Sequence, residues 1–133
     1  MKNKFFLTTP IYYVNDVPHL GSAYTTIAAD VLARFHRFQK TKVYFLTGTD
    51  EHGAKIAQAA GKAGRSPQEF SDGMAAKYKE AWQKLNIDYD CFVRTTDLGH
   101  QKVVGNFLQN LKDAGYIYQG AYKGLYCTGC EAY

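Results

Sequence analysis

The sequence contains no apolar run near the roughly 18 residues that a helical membrane span requires, so a membrane partner is not expected. Its N-terminus, MKNKFFLTTP, has neither a long apolar stretch nor a small-residue cleavage site, and reads as a first strand rather than a signal peptide. No Lys/Arg-rich block occurs. A net charge of +4 permits a polyanion such as RNA or a nucleotide without demanding one, and nothing points to DNA. Three cysteines in 133 residues are too few for a disulfide framework and fit a reducing cytoplasm. With no internal repeat and no low-complexity linker, the chain is one small domain or part of a larger one.

What is present is a regular alternation of elements. KFFLTT (Lys4–Thr9) reads as a strand ended by Pro10. A loop rich in turn formers follows, with Asn15, Asp16, Pro18 and Gly21. A helix then begins at Ser22, read as its N-cap, with Ile27, Val31 and Phe35 on one stripe beside Ala28, Leu32 and Phe38. Val43–Leu46 is a second strand running into Gly48, followed by a helix from about Ala54 to Ala63 that Gly64 ends. Ser66, Pro67 and Glu69 have the spacing of a capping box for a third helix, with Phe70, Met74, Tyr78, Trp82 and Leu85 as its core face. Asp90–Thr96 reads as a third strand. Asp97 caps a fourth helix with Val103, Val104, Phe107, Leu108 and Leu111 inward, and Gly115 stops it. Tyr116–Cys127 reads as a β-hairpin.

This order predicts an α/β fold, a Rossmann-like parallel sheet with flanking helices. Ligands bind such sheets at the carboxyl ends of the strands. The segments Pro10–Gly21 and Gly48–Gly53 both follow strands and are expected to meet there.

Two clusters in these segments carry chemistry. His19 and Gly21 lie at a helix mouth, where free N–H groups and the positive dipole end suit phosphate, and the histidine can donate to phosphate oxygens. An ordinary loop histidine is the alternative, because H-x-G alone matches by chance. Asp50, Glu51 and His52 form the second cluster: a carboxylate at a strand end suits an ammonium group or a ribose hydroxyl, and a solvated turn of helix-capping acids is the alternative. Cys127 and Cys130 form a C-x-x-C, half of a tetrahedral zinc site or a thiol pair. Cys91 lies on the third strand and reads as core.

TPIYYVNDVPHLGSAYTTIAADVLARFHR, FLTGTDEHGAKI, FVRTT and YCTGCEAY, in this order, resemble the N-terminal part of bacterial methionyl-tRNA synthetases, a class I aminoacyl-tRNA synthetase family. The resemblance covers essentially the whole chain. It implies the first half of a Rossmann catalytic domain over residues 1–115, and from 116 to 133 the start of a connective insertion bearing a zinc knuckle. It implies activation of methionine by ATP with Mg2+ to methionyl-adenylate, then transfer to tRNA(Met), in the cytoplasm. His19 matches the first histidine of the family's H-I-G-H signature, and Gly21 with Ser22 completes that ATP-binding stretch. Asp50 matches the aspartate that binds the substrate ammonium. Ile11 and Tyr13 match positions lining the methionine side chain, with Pro10 beside them. Cys127 and Cys130 match the first pair of Zn2+ ligands.

Two departures from the family pattern stand out. Ser22 replaces the signature's second catalytic histidine, which keeps a hydroxyl donor on a shorter arm. The K-M-S-K-S loop is not in the sequence, so the chain reads as an N-terminal fragment. Two other readings are a catalytically silent synthetase relic that retains ATP or tRNA binding, and a nucleotidyltransferase using an H-x-G-H motif. The latter's Gly-rich turn before the histidines is missing from PIYYVNDVP.

Overall fold

The computed structural model describes residues 4–127, 129–130 and 132–133. They divide into two compact units, Met1–Gln101 and Lys102–Tyr133.

The first unit is built on three parallel strands in the order β1 (Lys4–Tyr13), β2 (Lys42–Asp50), β3 (Cys91–Arg94). Helix α1 (Leu20–Phe38) connects β1 to β2; α2 (Ala54–Lys62) and α3 (Pro67–Lys84) connect β2 to β3. The expected parallel α/β architecture is therefore present.

β1 does not end at Pro10. It runs on to Tyr13, and the ladder shifts between Thr8↔Leu46 and Ile11↔Gly48. Three steps along β1 thus match two along β2, so Thr9–Pro10 hold a bulge. Pro10 is tolerated there because a bulged residue owes the ladder to β2 no N–H. Thr9 anchors the bulge, with its hydroxyl 2.7 Å from that of Thr47.

α1 also differs from expectation. It starts one turn early, and its N-cap is His19, not Ser22. Its buried face is Ser22, Thr26, Ala29, Asp30 and Ala33, whereas Val31 and Phe35 are 59% and 53% exposed. Small residues win because the helix lies close on the sheet: Ala29 and Ala33 pack against Phe45, with Leu7 and Val43 beside them. The buried polar groups find partners. Thr26 meets the Tyr12 hydroxyl at 2.7 Å, and Asp30 accepts from Arg34 Nε at 2.6 Å and from the Asp88 N–H at 2.8 Å.

α3 follows the sequence except at Leu85, which is its C-cap and is exposed rather than part of the core face. Ser66 Oγ accepts from the Glu69 N–H and Glu69 reciprocates to the Ser66 N–H. Met74, Tyr78 and Trp82 are buried with Val14 and Ile56, and Phe70 packs against this cluster. Trp82, the only tryptophan, is fully buried in edge-type contact with the stacked rings of Tyr12 and Tyr78, centroids 5.7 and 5.9 Å away.

β3 is shorter than the expected Asp90–Thr96. Helix α4 (Leu98–Asp113) forms, but none of its residues is buried, so the inward face read at Val103, Val104, Phe107, Leu108 and Leu111 is not a packed one. In the second unit the hairpin expected over Tyr116–Cys127 does not form: residues 116–126 are without strand. Those residues are exposed, and a lone two-stranded hairpin with no face to bury is marginal. A single antiparallel bridge, Cys127↔Ala132, closes the C-x-x-C turn instead.

Gly48 shows why β3 can approach β2 so closely. A Cβ there would collide with the Val93 carbonyl oxygen and lie 2.7 Å from Val93 Cγ1. Gly48→Ala is expected to destabilise the chain by about 1–3 kcal/mol, read as a lowered urea midpoint of Trp82 emission. An unchanged midpoint would contradict the close approach.

Candidate active site

The parallel ladder sets the site. Ile11 pairs with Gly48, Tyr12 with Thr49 and Tyr13 with Asp50, and the Val14 N–H donates to the Asp50 carbonyl at 3.2 Å. Ile11 and Tyr13 leave the strand on one side and Tyr12 on the other. Tyr12 turns to α1, donating to the Ser22 carbonyl at 3.2 Å. Tyr13 reaches Gly53, where a Cβ would collide with its hydroxyl; the φ of +128° at Gly53 favours glycine independently. Ile11 is 40% exposed.

At the mouth of α1, His19 Nδ1 accepts the Gly21 N–H at 3.0 Å. A ring nitrogen that accepts carries no proton, so the neutral imidazole is protonated at Nε2, which is left to donate outward. Ser22 is 3% exposed, and its Oγ accepts the His19 N–H at 3.0 Å and donates to the His19 carbonyl at 2.7 Å. The hydroxyl expected to face a phosphate has thus given its one proton to the backbone of His19. His19, Tyr12, Tyr13, Asn15, Asp16 and Tyr78 line one cavity of about 320 Å³. Burial, with Tyr12 and Asp16 nearby, pushes the Tyr78 phenol up, so it stays a neutral wall.

Of the acidic cluster, Asp50 and Glu51 have different surroundings. The Glu51 side chain is 0% exposed. Its Oε1 accepts from Thr49 Oγ1 at 2.6 Å and Arg94 Nε at 2.7 Å; its Oε2 accepts from Arg94 Nη2 at 2.8 Å and Thr96 Oγ1 at 2.5 Å. Arg94 also pairs with Asp72 of α3 at 2.5 Å. Glu51 is therefore an anchored carboxylate, not one open to a ligand. His52 Nε2 lies 3.3 Å from the Thr95 carbonyl, which fixes its proton on that nitrogen. Sequence reasoning missed Arg94, Thr96 and Asp72. The signal was there: Arg94 ends a third parallel strand, and Thr95 and Thr96 follow it at the carboxyl end of the sheet.

In the second unit, Cys127 Sγ accepts the Cys130 N–H at 3.4 Å. Among the described residues no group of three or more His, Cys, Asp or Glu could hold a metal ion. No helix among the described residues is long and apolar enough to cross a membrane.

Residues 5–133 match the family of class I tRNA synthetases (M). A methionine–tRNA ligase of Thermotoga maritima is 56% identical over 98% of this chain and 21% of its own length. One of Thermosynechococcus vestitus is 55% identical over 100% of this chain and 25% of its own. A Mycobacterium tuberculosis methionyl-tRNA synthetase solved with methionyl-adenylate superposes with a TM-score of 0.88 at 41% identity, covering 95% of this chain and 25% of that one. The chain thus spans about a fifth to a quarter of the length of these relatives.

Burial pushes the Glu51 carboxyl up, but bonds from Arg94, Thr49 and Thr96 outweigh it and hold it below its ordinary value of 4.5. The unfolded chain therefore takes up this proton more readily than the folded one. The stability Glu51 contributes is present above about pH 4.5 and lost as pH falls through its lower folded value. The urea midpoint is expected to drop as pH falls below about 4.5, with a shallower drop in Glu51→Gln. Equal slopes in the two proteins would contradict this.

Proposed function

The chain belongs to the class I tRNA synthetases of the methionyl type, and from that footing we propose that it carries the amino-acid and α-phosphate contacts of a methionine-activating site. The reaction joins the methionine carboxylate to the α-phosphorus of ATP and releases pyrophosphate; a hydroxyl at the tRNA(Met) 3′ end then takes the methionyl group from the adenylate, and AMP leaves. The observation that supports this best is the register that lays Ile11–Tyr13 beside Gly48–Asp50, with His19 at the head of the next helix.

In this reading the Asp50 carboxylate holds the substrate ammonium by a charge-assisted hydrogen bond. Pro10, Ile11 and Tyr13 border the methionine side chain, whose polarizable thioether suits an apolar and aromatic wall. His19 donates from Nε2 to phosphate oxygens as charge develops, and Gly21 leaves the α1 N-terminus open for the Mg2+-bound triphosphate to approach. Ser22 serves adenylation through His19, whose backbone it clamps on both sides. Cys127 and Cys130 would supply two thiolates to a structural Zn2+, which needs two further ligands; no step runs through it.

The reading is tested by titrating the purified chain with methionine and with ATP, followed by methionine-dependent ATP–pyrophosphate exchange. Asp50→Asn is expected to weaken methionine about 10–100-fold, the worth of a charged hydrogen bond, and to spare ATP. His19→Ala is expected to lower the exchange rate about 10²–10³-fold, as for the loss of one transition-state donor. A folded chain that binds neither ligand overturns the proposal.

A further inference from the structure

We propose that Glu51 and Arg94 are a positioning pair that sets the affinity of the site for the ammonium group of an amino acid by fixing the segment that carries Asp50. The inference rests on the reading of Asp50 as the ammonium acceptor.

Glu51 lies between Asp50 and His52, and strand alternation sends its side chain to the face opposite that of Asp50. All four of its acceptor directions are filled, by Thr49, Arg94 twice and Thr96, so it has nothing left for a ligand. Those bonds act on the main chain next door. The Glu51 N–H donates to Thr95 Oγ1 at 2.9 Å, the Thr95 N–H donates to the Thr49 carbonyl at 3.2 Å, and the Asp50 carbonyl is taken by the Val14 N–H. Asp50 is thereby held between β1 and β3. Arg94 in turn is held by Asp72 on α3, while its own N–H donates to Asp97 Oδ2 at 3.0 Å.

The guanidinium matters as a shape. Nε and Nη2 meet the two carboxylate oxygens as a fork, which the single ammonium of lysine cannot reproduce. It also places a positive charge behind two successive carboxylates. With the pair intact, Glu51 is neutralised from within, and Asp50, half-buried at the end of β2, is the acid of the two left for a ligand. With Glu51 unpaired, its segment would turn to find water, and Asp50 would move with it.

The test uses the 133-residue chain and its Glu51→Gln, Arg94→Lys and Thr96→Val variants, with circular dichroism and Trp82 emission reporting the fold. Thr96→Val removes one donor only and remains informative where Glu51→Gln does not fold. Amide exchange at Asp50 and His52 is expected to quicken about 10²-fold in Glu51→Gln and about tenfold in Thr96→Val, with α1 and α3 unchanged. Methionine affinity should fall about 10–100-fold in Glu51→Gln and Arg94→Lys while ATP affinity stays within about twofold. A purely structural pair would weaken both ligands together, and that result overturns the proposal, as does unaltered exchange at Asp50 and His52. Asp50→Asn separates the two claims. If it leaves methionine binding intact, the ammonium reading fails, and the pair is then judged on the exchange rates alone. The same holds if the parent chain takes up no methionine.

Discussion

A buried carboxylate with no access to water has to be paid for by its neighbours, and that of Glu51 sets the terms for the carboxyl end of the sheet. Its partners come from β2, from the end of β3 and from the residues just beyond it. A one-residue slip of β3 would send Arg94 to the other face of the sheet. Glu51 would then be buried and unpaired, a loss of about 3–5 kcal/mol. The ion pair therefore acts as a register lock for Thr49↔Arg94. Gly48 is the other half of that lock, because only a residue without Cβ lets Val93 come close enough for Arg94 to reach. A structural charge and a missing side chain together decide where the third strand ends.

The opposite edge is set by the bulge at Thr9–Pro10. One extra residue on β1 reverses which side chains face which way beyond it. Thr9 is buried against Thr47; after the bulge Tyr12 turns to α1, and Ile11 and Tyr13 leave on the other side. Without it, Tyr12 and Tyr13 would exchange roles, and the polar partners Ser22 and Thr26 would lose their phenol. Proline at this point is a positional device, since the residue that cannot pair sits where no pairing is required.

Much of this was legible in the sequence, and the misreadings share a cause. The Ser66–Glu69 box and the Met74, Tyr78, Trp82 face read correctly because both are local: a cap needs residues three apart and a core face needs a period. The parallel order read correctly because strand and helix alternated. α1 misled because its greasier stripe is not the one in contact with the sheet; close approach selected Ala29 and Ala33, and hydrogen bonding satisfied Thr26 and Asp30. Glu51 was grouped with Asp50 for the same reason. Adjacent acids look alike in sequence, and only the arrival of Arg94 from 43 residues away distinguishes them. The hairpin expected over Tyr116–Cys127 rested on local pattern alone.

The mouth of α1 joins structure to chemistry with very few atoms. A histidine offers two nitrogens, and as an N-cap it gives one of them to the helix. Serine, aspartate or asparagine would cap as well, but none would have a second ring nitrogen left over. By accepting the Gly21 N–H through Nδ1, His19 commits its proton to Nε2, and the cap itself selects the tautomer that can donate to an anion. Ser22 makes this arrangement firm by holding the His19 N–H and carbonyl with one buried hydroxyl. A longer side chain at that position could reach toward a phosphate only by giving up the bonds that aim His19. The hydroxyl at 22 is thus committed to the His19 backbone, and in the proposed reading the donor left for a phosphate is His19 Nε2.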